Sequence, residues 1–593
     1  MRSVEVPVLI VGGGGCGLSS SIFLSDMGVD HLLIERHEAT SILPKAHYLN
    51  QRTMEAWRTH GVDKPIYEVG APVENFGHIR WVTSLGGDGP FDRRDFHEFD
   101  AFGGGSLTET FLRDSPCLPS NLPQLRLEPL LRGIAEERAP GKVLFGHELV
   151  DWVEDEDGVV AQVRNCDDGD IFEVCAQYVI AADGGKTIGP RLGIPMVGPT
   201  NMVDMVSTHF AADLSEYVDD RSLITWQINP EGSGSWSSGA LVKMGPTWDR
   251  HSEEWVVHFA FRPDDPERFD EEAIVPRIRA LLKIPDLELK VFKVSHWILD
   301  RIVAERWRAG RVFLAGDAAH RQPPTTGLGL NSAVHDAQNL CWKLAEVVTG
   351  RASDTLLDSY ESERKPVAED NADWALQAFK NFACIDISMG LMPGAPVEAN
   401  MAAFEQFFAE TRLGASIRGR FKEVINTQRV EFHAHEVEIG FAYETGALVS
   451  DGTAAPERDP FGARYRPTTR PGHRLPHAWL EADGQRLSTH DLVRPGGFAL
   501  IAGPDGREWV TAAEELAAEA GITINAKTVG DSGALRDADG QWSEVCELEA
   551  GGAVLVRPDQ HVAWRSVSVS ADPREALRGA LAAVLGQPAA VRA

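Results

Sequence analysis

The sequence of 593 residues is 43% hydrophobic and 24% charged, which is an ordinary composition for globular proteins. Its length corresponds to about three to five domains, and its composition excludes disorder, collagen and coiled coil as the main architecture. The net charge of −31 at pH 7 repels nucleic-acid backbones and anionic lipid. We therefore expect the partner to be neither a nucleic acid nor a membrane.

The scattered cysteines and the short apolar runs indicate which kinds of protein this is not. The seven cysteines form no C-x-x-C pair, so neither a structural zinc nor a dithiol redox pair is expected. No apolar run approaches the roughly 18 residues that a membrane-spanning helix needs. No signal-type apolar segment follows Arg2. These features predict a cytoplasmic protein without a metal site.

The first predicted element is a strand that runs into a glycine-rich turn. Residues 6–11 are a short apolar run with β-branched side chains, which is typical of a buried parallel strand. The sequence Gly-Gly-Gly-Gly-Cys-Gly follows, and it matches G-x-G-x-x-G at Gly12, Gly14 and Gly17. In this motif the first glycine permits the tight turn, the second lets a pyrophosphate approach the backbone, and the third lets helix and strand pack closely.

The next two elements complete a βαβ unit. A helix is predicted over 18–27, and a strand over 31–34 ends at Glu35. A pyrophosphate would lie on the free N–H groups at the positive end of this helix. Glu35 follows the glycines by about 20 residues, where a carboxylate can accept both hydroxyls of an adenosine ribose. The unit predicts a dinucleotide site, with NAD and FAD both still open.

Two later motifs repeat the pattern of a strand ending in a polar turn. The strand near 178–182 ends in Asp183-Gly184, and the apolar strand near 311–314 ends in Gly316-Asp317. A loop that contains Pro324 and Gly329 then leads to Leu330 and Asn331. There a helix opens whose apolar residues keep to one face as far as Val348.

These three motifs, in this order over roughly the first 350 residues, resemble the single-component flavin-dependent aromatic hydroxylases. The likeness is closest to the phenol hydroxylase branch, with 2,4-dichlorophenol 6-monooxygenase and 2-hydroxybiphenyl 3-monooxygenase. The resemblance implies an α/β fold. In it, a glutathione-reductase-type FAD-binding Rossmann domain is interwoven with a β-sheet substrate domain, and a thioredoxin-like domain follows at the C-terminus.

The resemblance also implies domain limits and assembly. We expect the FAD-binding domain over 1–75, 113–190 and 299–400, and the substrate domain over 76–112 and 191–298. A helical connection over 401–450 would lead to a thioredoxin-like domain over 451–593 that lacks C-x-x-C. We expect a homo-oligomer, dimeric or higher.

The reaction implied by the resemblance is hydroxylation of a phenol-like ring. NADPH or NADH would reduce FAD, dioxygen would form a flavin C4a-hydroperoxide, and oxygen would enter the ring ortho to a hydroxyl. Catabolic phenols and natural-product intermediates both fit. A flavin-dependent epoxidase, Baeyer–Villiger-type oxygenase or halogenase is the alternative. A NAD-dependent dehydrogenase or a non-catalytic nucleotide-binding module would leave the Gly316-Asp317 motif unexplained.

The resemblance assigns further cofactor contacts by position. Asp317 would bind the ribityl chain, and the N–H groups of Leu330 and Asn331 would stabilise negative charge on the reduced flavin. Two departures stand out: lysine replaces a frequent arginine at 45 and loses its bidentate fork, and Thr325-Thr326 replaces a glycine pair. The remaining matched positions are Arg36 at the adenosine, Lys45, Gln124 at the flavin's linker, Val150 at the adenine, Asp183 between FAD and nicotinamide, Pro324 and Gly329.

Catalytic and substrate residues are predicted from chemistry and position. His47 lies where the 2-hydroxybiphenyl branch carries a histidine, and its usual pKa near 6.5 suits a base that deprotonates the phenol. Asp114 is predicted to orient or assist it. Trp226 and Trp236 are predicted to line the substrate pocket. The structural alternatives are a hydrogen-bonded histidine, a solvated carboxylate and core tryptophans.

Overall fold

The computed structural model describes residues 3–228, 230, 239–392 and 395–587. Within these ranges no helix is both long enough and apolar enough to cross a membrane.

Eight strands form the first sheet in the described part of the chain, and its centre is parallel. Strand Ser3–Val11 pairs in parallel with His31–Glu35 on one side and with Ile171–Ala181 on the other. Residues 8–11 are buried, because helices cover the sheet. The other strands are Val143–Phe145, His147–Glu154, Val159–Asn165, Arg308–Ala309 and Val312–Leu314.

Helix Gly15–Asp26 lies at the centre of this layer. It is buried from Gly15 to Leu24 and packs against helices Gln124–Arg138 and Leu328–Val348. A helix that is apolar all round needs such cover on every side. The glycine-rich turn is therefore held rigidly between the sheet and two long helices.

A second sheet of seven strands lies within the described ranges. Because side chains alternate along a strand, each face has its own role. One face, with Val206, Val257 and Phe259, packs on helix Ile274–Leu282. The opposite face borders a large cavity. In spatial order the strands are Lys290–Leu299, Val203–Ala211, Glu254–Phe261, Ala240–Gly245, Ser222–Gln227, His78–Val82 and Asp95–Asp100.

Short strands and helices connect these layers. The short strands are Tyr48–Leu49 with Ser120–Asn121, and Met196–Val197 with Ile302–Ala304 and His320–Arg321. Before the C-terminal part the further helices are Gln51–Thr59, Asp63–Val69, Val73–Phe76, Thr108–Asp114, Ile188–Arg191, Asp358–Asn381, Ala383–Met389, Val397–Phe408, Arg412–Ile425, Arg429–Phe432 and His435–Ile439.

The C-terminal part has its own sheet and core. One face of the sheet, with Phe498 and Leu500, packs on two helices and on Trp342 of the long helix. This part is therefore docked on the rest of the protein. Its strands are Ile524–Thr528, Phe498–Ala502, Ala553–Val556 and Val562–Ser566, with Trp479–Ala482, Gln485–Ser488 and Arg536–Asp537 in a second sheet. Its helices are Arg507–Ala520, Gln541–Val545 and Pro573–Val584.

The elements predicted from sequence are confirmed, with shifted limits. The first helix begins at Gly15 rather than at residue 18. It starts inside the glycine motif, where hydrophobic periodicity gives no signal. The strand predicted near 178–182 is the end of a longer one, Ile171–Ala181.

Candidate active site

A cavity of 1260 Å³ lies between the glycine-rich turn and the free face of the second sheet. Ligand pockets usually enclose about 300–1,000 Å³, so this cavity has room for a dinucleotide together with a second ligand. Residues of the first sheet's turns line one part of it, and side chains of the second sheet line another.

The backbone around the three motif glycines leaves little or no room for a side chain at two of them. Gly12 has φ +116°, and a Cβ there would lie 2.2 Å from the carbonyl oxygen of Ala182. A Cβ on Gly17 would lie 1.9 Å from the carbonyl oxygen of Gly12. Gly14 is open, since its nearest neighbour would be Glu128 Oε1 at 3.4 Å. The turn leaves room at the position where a pyrophosphate is expected.

Glu35 lies at the cavity wall. Its Oε2 accepts the Gly13 N–H at 2.8 Å, and its Oε1 accepts the His37 N–H at 2.9 Å. The carboxylate is thereby fixed next to the glycine turn, where it can share its lone pairs with a ribose.

A buried carboxylate that the sequence did not single out closes the turn from the other side. Glu128 accepts hydrogen bonds from the Gly15 N–H at 3.2 Å, the Ser41 N–H at 3.0 Å and the Gln124 side-chain amide at 2.5 Å. Burial raises the pKa of Glu128. Gln124, predicted to contact the cofactor, borders the cavity and is oriented by this carboxylate.

Asp317 is exposed to the cavity on a short 3₁₀ turn. Asp336, on helix Leu328–Val348, holds the turn by accepting the Gly316 N–H at 3.1 Å and pairing with His320 Nε2 at 2.9 Å. The Asp317 carboxylate accepts no hydrogen bond from the residues that the structure describes, so it can accept one from a ligand hydroxyl.

The loop that precedes the long helix is tightly constrained. Thr326 has φ +65° and is buried, a conformation that a β-branched residue rarely adopts. Asn331 is fully buried, accepts the Asn50 N–H at 3.0 Å and donates to the carbonyls of Tyr48 and Gly327 at 3.0 and 2.6 Å. Its side chain is therefore a structural clamp. Three residues predicted here, Pro324, Gly329 and Leu330, line the cavity.

The other predicted cofactor residues differ in their placement. Arg36 and Lys45 are exposed at the cavity, and both can offer positive charge to phosphates. Asp183 lines the cavity, but its carboxylate accepts three backbone N–H groups of its own turn. Val150 does not line it; its carbonyl accepts from Arg191 at 3.0 Å, and the neighbouring Leu149 borders the cavity instead.

His47 lines the cavity on the segment before strand Tyr48–Leu49. Its Nδ1 lies 2.7 Å from Asn121 Oδ1. Because that oxygen only accepts, Nδ1 carries the hydrogen and Nε2 keeps a lone pair. Burial lowers the pKa of His47. The side chain is therefore uncharged at neutral pH, and its Nε2 is free to accept a proton.

A second histidine, His258, lies on the cavity wall within strand Glu254–Phe261. Its Nδ1 is 2.7 Å from Ser207 Oγ, and that oxygen accepts from Trp297 Nε1 at 2.8 Å. Burial is the largest cause that lowers the pKa of His258 to about 4, and His47 is the second. Sequence reasoning missed this residue, because a histidine within an apolar strand carries no local signal.

The predicted assistant of His47 lies elsewhere. Asp114 is buried outside the cavity lining, and its carboxylate pairs with His435 Nε2 at 3.0 Å and Arg113 Nε at 3.0 Å. Arg474 donates to its backbone carbonyl at 2.9 Å. This geometry gives Asp114 a structural role where the C-terminal part docks, and no contact with His47.

Aromatic lining is found at one of the two predicted tryptophans. Trp226 lines the cavity, with its ring 4.5 Å from that of Phe382. Its Nε1 has no partner among the described residues. The side-chain amide of Gln322, also on the wall, is equally unpartnered within that part of the chain. Such groups suit a polar ligand. Trp236 lies outside the described residues.

Metal binding has no support in the described ranges, where no three His, Cys, Asp or Glu side chains could hold an ion. The closely spaced histidines His433 and His435 each have a partner within the protein. His433 Nε2 bonds to the Asp100 carbonyl at 2.6 Å, and His435 pairs with Asp114.

Two family models match the sequence. One describes a FAD binding domain and matches residues 5–375. The other describes the C-terminal domain of aromatic-ring hydroxylases and matches residues 468–588.

Individual relatives match along the whole chain. The sequence is 32% identical to 2,4-dichlorophenol 6-monooxygenase of Delftia acidovorans, with 98% of each chain covered. It is 34% identical to tetracenomycin A2 monooxygenase-dioxygenase of Streptomyces glaucescens, with 99% of this chain and 98% of that protein covered. The structure is similar to the flavin-dependent monooxygenase PieE in complex with FAD and substrate, with a TM-score of 0.92, 37% identity, and 99% of this chain and 100% of that chain covered.

Proposed function

The chain belongs to the FAD-dependent aromatic-ring hydroxylases, monooxygenases that use NAD(P)H and O2, and from this premise we propose how its cavity performs ring hydroxylation. The chain has a mixed α/β fold that matches FAD-containing flavin monooxygenase structures. One observation carries the proposal: a single cavity joins the glycine-rich turn and Asp317 to the neutral, basic His47.

The FAD contacts that we propose follow the cavity wall. The open Gly14 and the first turn of helix Gly15–Asp26 accommodate the pyrophosphate, and Glu35 accepts the ribose hydroxyls. Arg36 and Lys45 attract the phosphates against the protein's net negative charge. Asp317 accepts from the ribityl chain. The same wall includes Gly12, Gly17, Gln124, Asp183, Pro324, Gly329 and Leu330, with Asn331 clamping the loop and Val150 next to it.

Bound FAD supplies hydride acceptance from NAD(P)H and transfer of one oxygen atom of O2 to the ring. His47 Nε2 accepts the proton of the substrate hydroxyl, which makes the ortho and para carbons of the ring more electron-rich. Of these, we propose that oxygen enters at the ortho carbon. Trp226 and Phe382 form an apolar wall that keeps water from this part of the cavity. Asp114 acts only by fixing the docked elements.

The substrate that we propose is a phenol-like aromatic compound. The names of the relatives include a chlorinated phenol and a polycyclic natural product. The size of the cavity is compatible with both. An epoxidase, Baeyer–Villiger-type oxygenase or halogenase remains the alternative, and product structure separates it from ring hydroxylation.

Finer features of the architecture belong to the same proposal. We propose a glutathione-reductase-type Rossmann domain over 1–75, 113–190 and 299–400, with a substrate domain over 76–112 and 191–298. A connection over 401–450 leads to a thioredoxin-like domain over 451–593. Parallel pairing in the first sheet and a core confined to the C-terminal part, around Leu480, Ile501 and Val554, support this division. We also propose a cytoplasmic homo-oligomer.

The test reconstitutes the purified protein with FAD and screens phenols for stimulated NAD(P)H oxidation. The expected product is heavier by one oxygen atom, with a new hydroxyl ortho to the first by NMR. A product oxidised outside the aromatic ring, or NAD(P)H oxidation without any oxygenated product, would contradict the proposal.

Variants test the FAD contact separately. Asp317→Ala is expected to weaken FAD binding about tenfold or more, because it removes a charged acceptor. Asp358→Ala is the matched control, since Asp358 is an exposed carboxylate paired with Arg308 at 2.7 Å. Equal FAD affinities in the two variants would remove Asp317 from the site.

A further inference from the structure

His47 and His258 approach the cavity from different layers of the protein. His47 precedes strand Tyr48–Leu49, whereas His258 belongs to the second sheet. They lie close enough for the charge of His47 to lower the pKa of His258. Because both side chains line the same cavity, a ligand between the first sheet's turns and the second sheet can contact both imidazoles.

The two rings present opposite hydrogen-bonding atoms. At His47 the Asn121 carbonyl oxygen takes the Nδ1 hydrogen, so Nε2 is an acceptor. At His258 the order is reversed. Trp297 Nε1 can only donate to Ser207 Oγ. Among the described residues the Ser207 hydroxyl has no acceptor other than His258 Nδ1, so its hydrogen is donated there. The hydrogen of neutral His258 is then on Nε2, which is a donor.

The residues that fix the His258 Nε2–H donor lie at paired positions on neighbouring strands of the second sheet. Ser207 lies directly opposite His258 in the antiparallel register, so the hydroxyl and the imidazole share one face. Trp297 is on the next strand and on that same face. Neighbouring positions on the face are apolar or small: Val242, Ala240 and Ala260 line the cavity beside the histidine. A polar donor in such a wall must find its partner in the ligand.

We propose that His47 and His258 select a substrate that carries two separated oxygen functions, an aromatic hydroxyl for His47 Nε2 and a carbonyl oxygen for His258 Nε2–H. This inference rests on the proposed function, because it takes His47 as the acceptor of the hydroxyl proton. His258 is a specificity-determining residue, and Ser207 and Trp297 are positioning residues that fix its tautomer.

The test measures binding to the oxidised holoenzyme by the change in flavin absorbance. The probes are acetylnaphthols with the acetyl and hydroxyl groups on different rings, in several spacings. Each is paired with the isopropylnaphthol of the same substitution pattern, which has the same shape but no carbonyl. In the best pair the wild-type enzyme is expected to bind the acetyl compound about tenfold more tightly, the usual worth of one such hydrogen bond.

Variants assign the preference to one side chain. His258→Phe is expected to remove it, and His258→Gln, which keeps an N–H donor, to restore part of it. In Ser207→Ala the tautomer is no longer fixed, so the preference falls without vanishing. If the His258→Phe protein does not fold, the Ser207→Ala and His258→Gln proteins carry the same comparison.

The outcomes are separate from those of the proposed function. Equal binding in every pair, or no binding of any acetyl compound, overturns the inference. So does a preference that survives in His258→Phe. If the preference is present but hydroxylation does not depend on His47, the proposed base is wrong while the donor at His258 stands.

Discussion

Single hydrogen bonds decide what the cavity histidines can do. His47 presents an acceptor to the cavity because Asn121 offers an oxygen, and we infer that His258 presents a donor because Ser207, which accepts from Trp297, donates to its Nδ1. Neither role follows from the histidine alone, whose ordinary pKa near 6.5 would allow both charged and neutral forms at neutral pH. Burial favours the neutral form of both rings.

The pH dependence of hydroxylation is predicted at this scale. The base must be unprotonated, and the pKa of His47 lies below 6.5. Activity should therefore be complete above pH 6.5 and be lost as the pH falls through the lowered pKa. We expect kcat/KM against pH to show this acid limb in the wild-type enzyme.

Two variants check the assignment. His47→Gln should lose the limb together with most of the hydroxylation rate. Asn121→Leu should move the limb to lower pH, because the hydrogen bond to Asn121 raises the pKa of His47. An unchanged limb in His47→Gln would assign it to another group.

At the scale of elements, the turn Thr325–Gly327 contains a left-handed backbone conformation, which the glycines found here in the family would adopt without strain. Thr326 is held at φ +65°, which costs a β-branched residue about 1–3 kcal/mol. Thr325 has an ordinary backbone, and its hydroxyl donates to the Ala375 carbonyl at 2.5 Å. The helix Leu328–Val348 thus begins from a strained but anchored turn.

Replacing Thr326 or Thr325 by glycine should change the free energy of unfolding in opposite directions. Thr326→Gly is expected to raise the free energy of unfolding by about 1 kcal/mol, because glycine adopts the left-handed region at little cost. Thr325→Gly is the matched control and should lower it, since it removes a hydrogen bond and gains nothing at φ. Urea unfolding of the two proteins measures both, and stabilisation by Thr325→Gly alone would contradict the account.

At the scale of the whole molecule, buried charges join the C-terminal part to the catalytic part. Glu363, on helix Asp358–Asn381, accepts hydrogen bonds from Nη1 and Nη2 of Arg557, each at 2.8 Å, and from Lys343 Nζ at 2.7 Å. These cations hold the pKa of Glu363 at about 2 despite its burial. Arg474 likewise pairs with the buried Glu55.

This coupling predicts that replacing two different arginines of the C-terminal part lowers the free energy of unfolding by very different amounts. Arg557→Ala should cost about 3–5 kcal/mol in urea unfolding, because it removes the arginine from two buried carboxylates, Glu363 and Asp559, and leaves Glu363 with Lys343 alone. Arg574→Ala, which breaks the exposed pair with Glu515, should cost less than about 1 kcal/mol. Similar losses in both variants would mean that the C-terminal part is not coupled through Glu363.

The cofactor side of the cavity was predictable because its signals are local. Gly12, Gly14, Gly17 and Glu35 lie within one βαβ unit, and their backbone demands appear as residue types at fixed spacing. Asp317 was found in the same way, as a polar residue directly after a buried strand. Strand and helix positions followed from periodicity, and only their ends moved.

The substrate side depended on contacts between distant segments. His47 meets Asn121, 74 residues away, and His258 meets Ser207, 51 residues away. Asp114, the last residue of helix Thr108–Asp114, is buried and pairs with His435, 321 residues away. Sequence by itself identified the residues that we propose to hold FAD. Only the tertiary structure decided which imidazole accepts and which donates, because a tautomer is set by the partner across the fold.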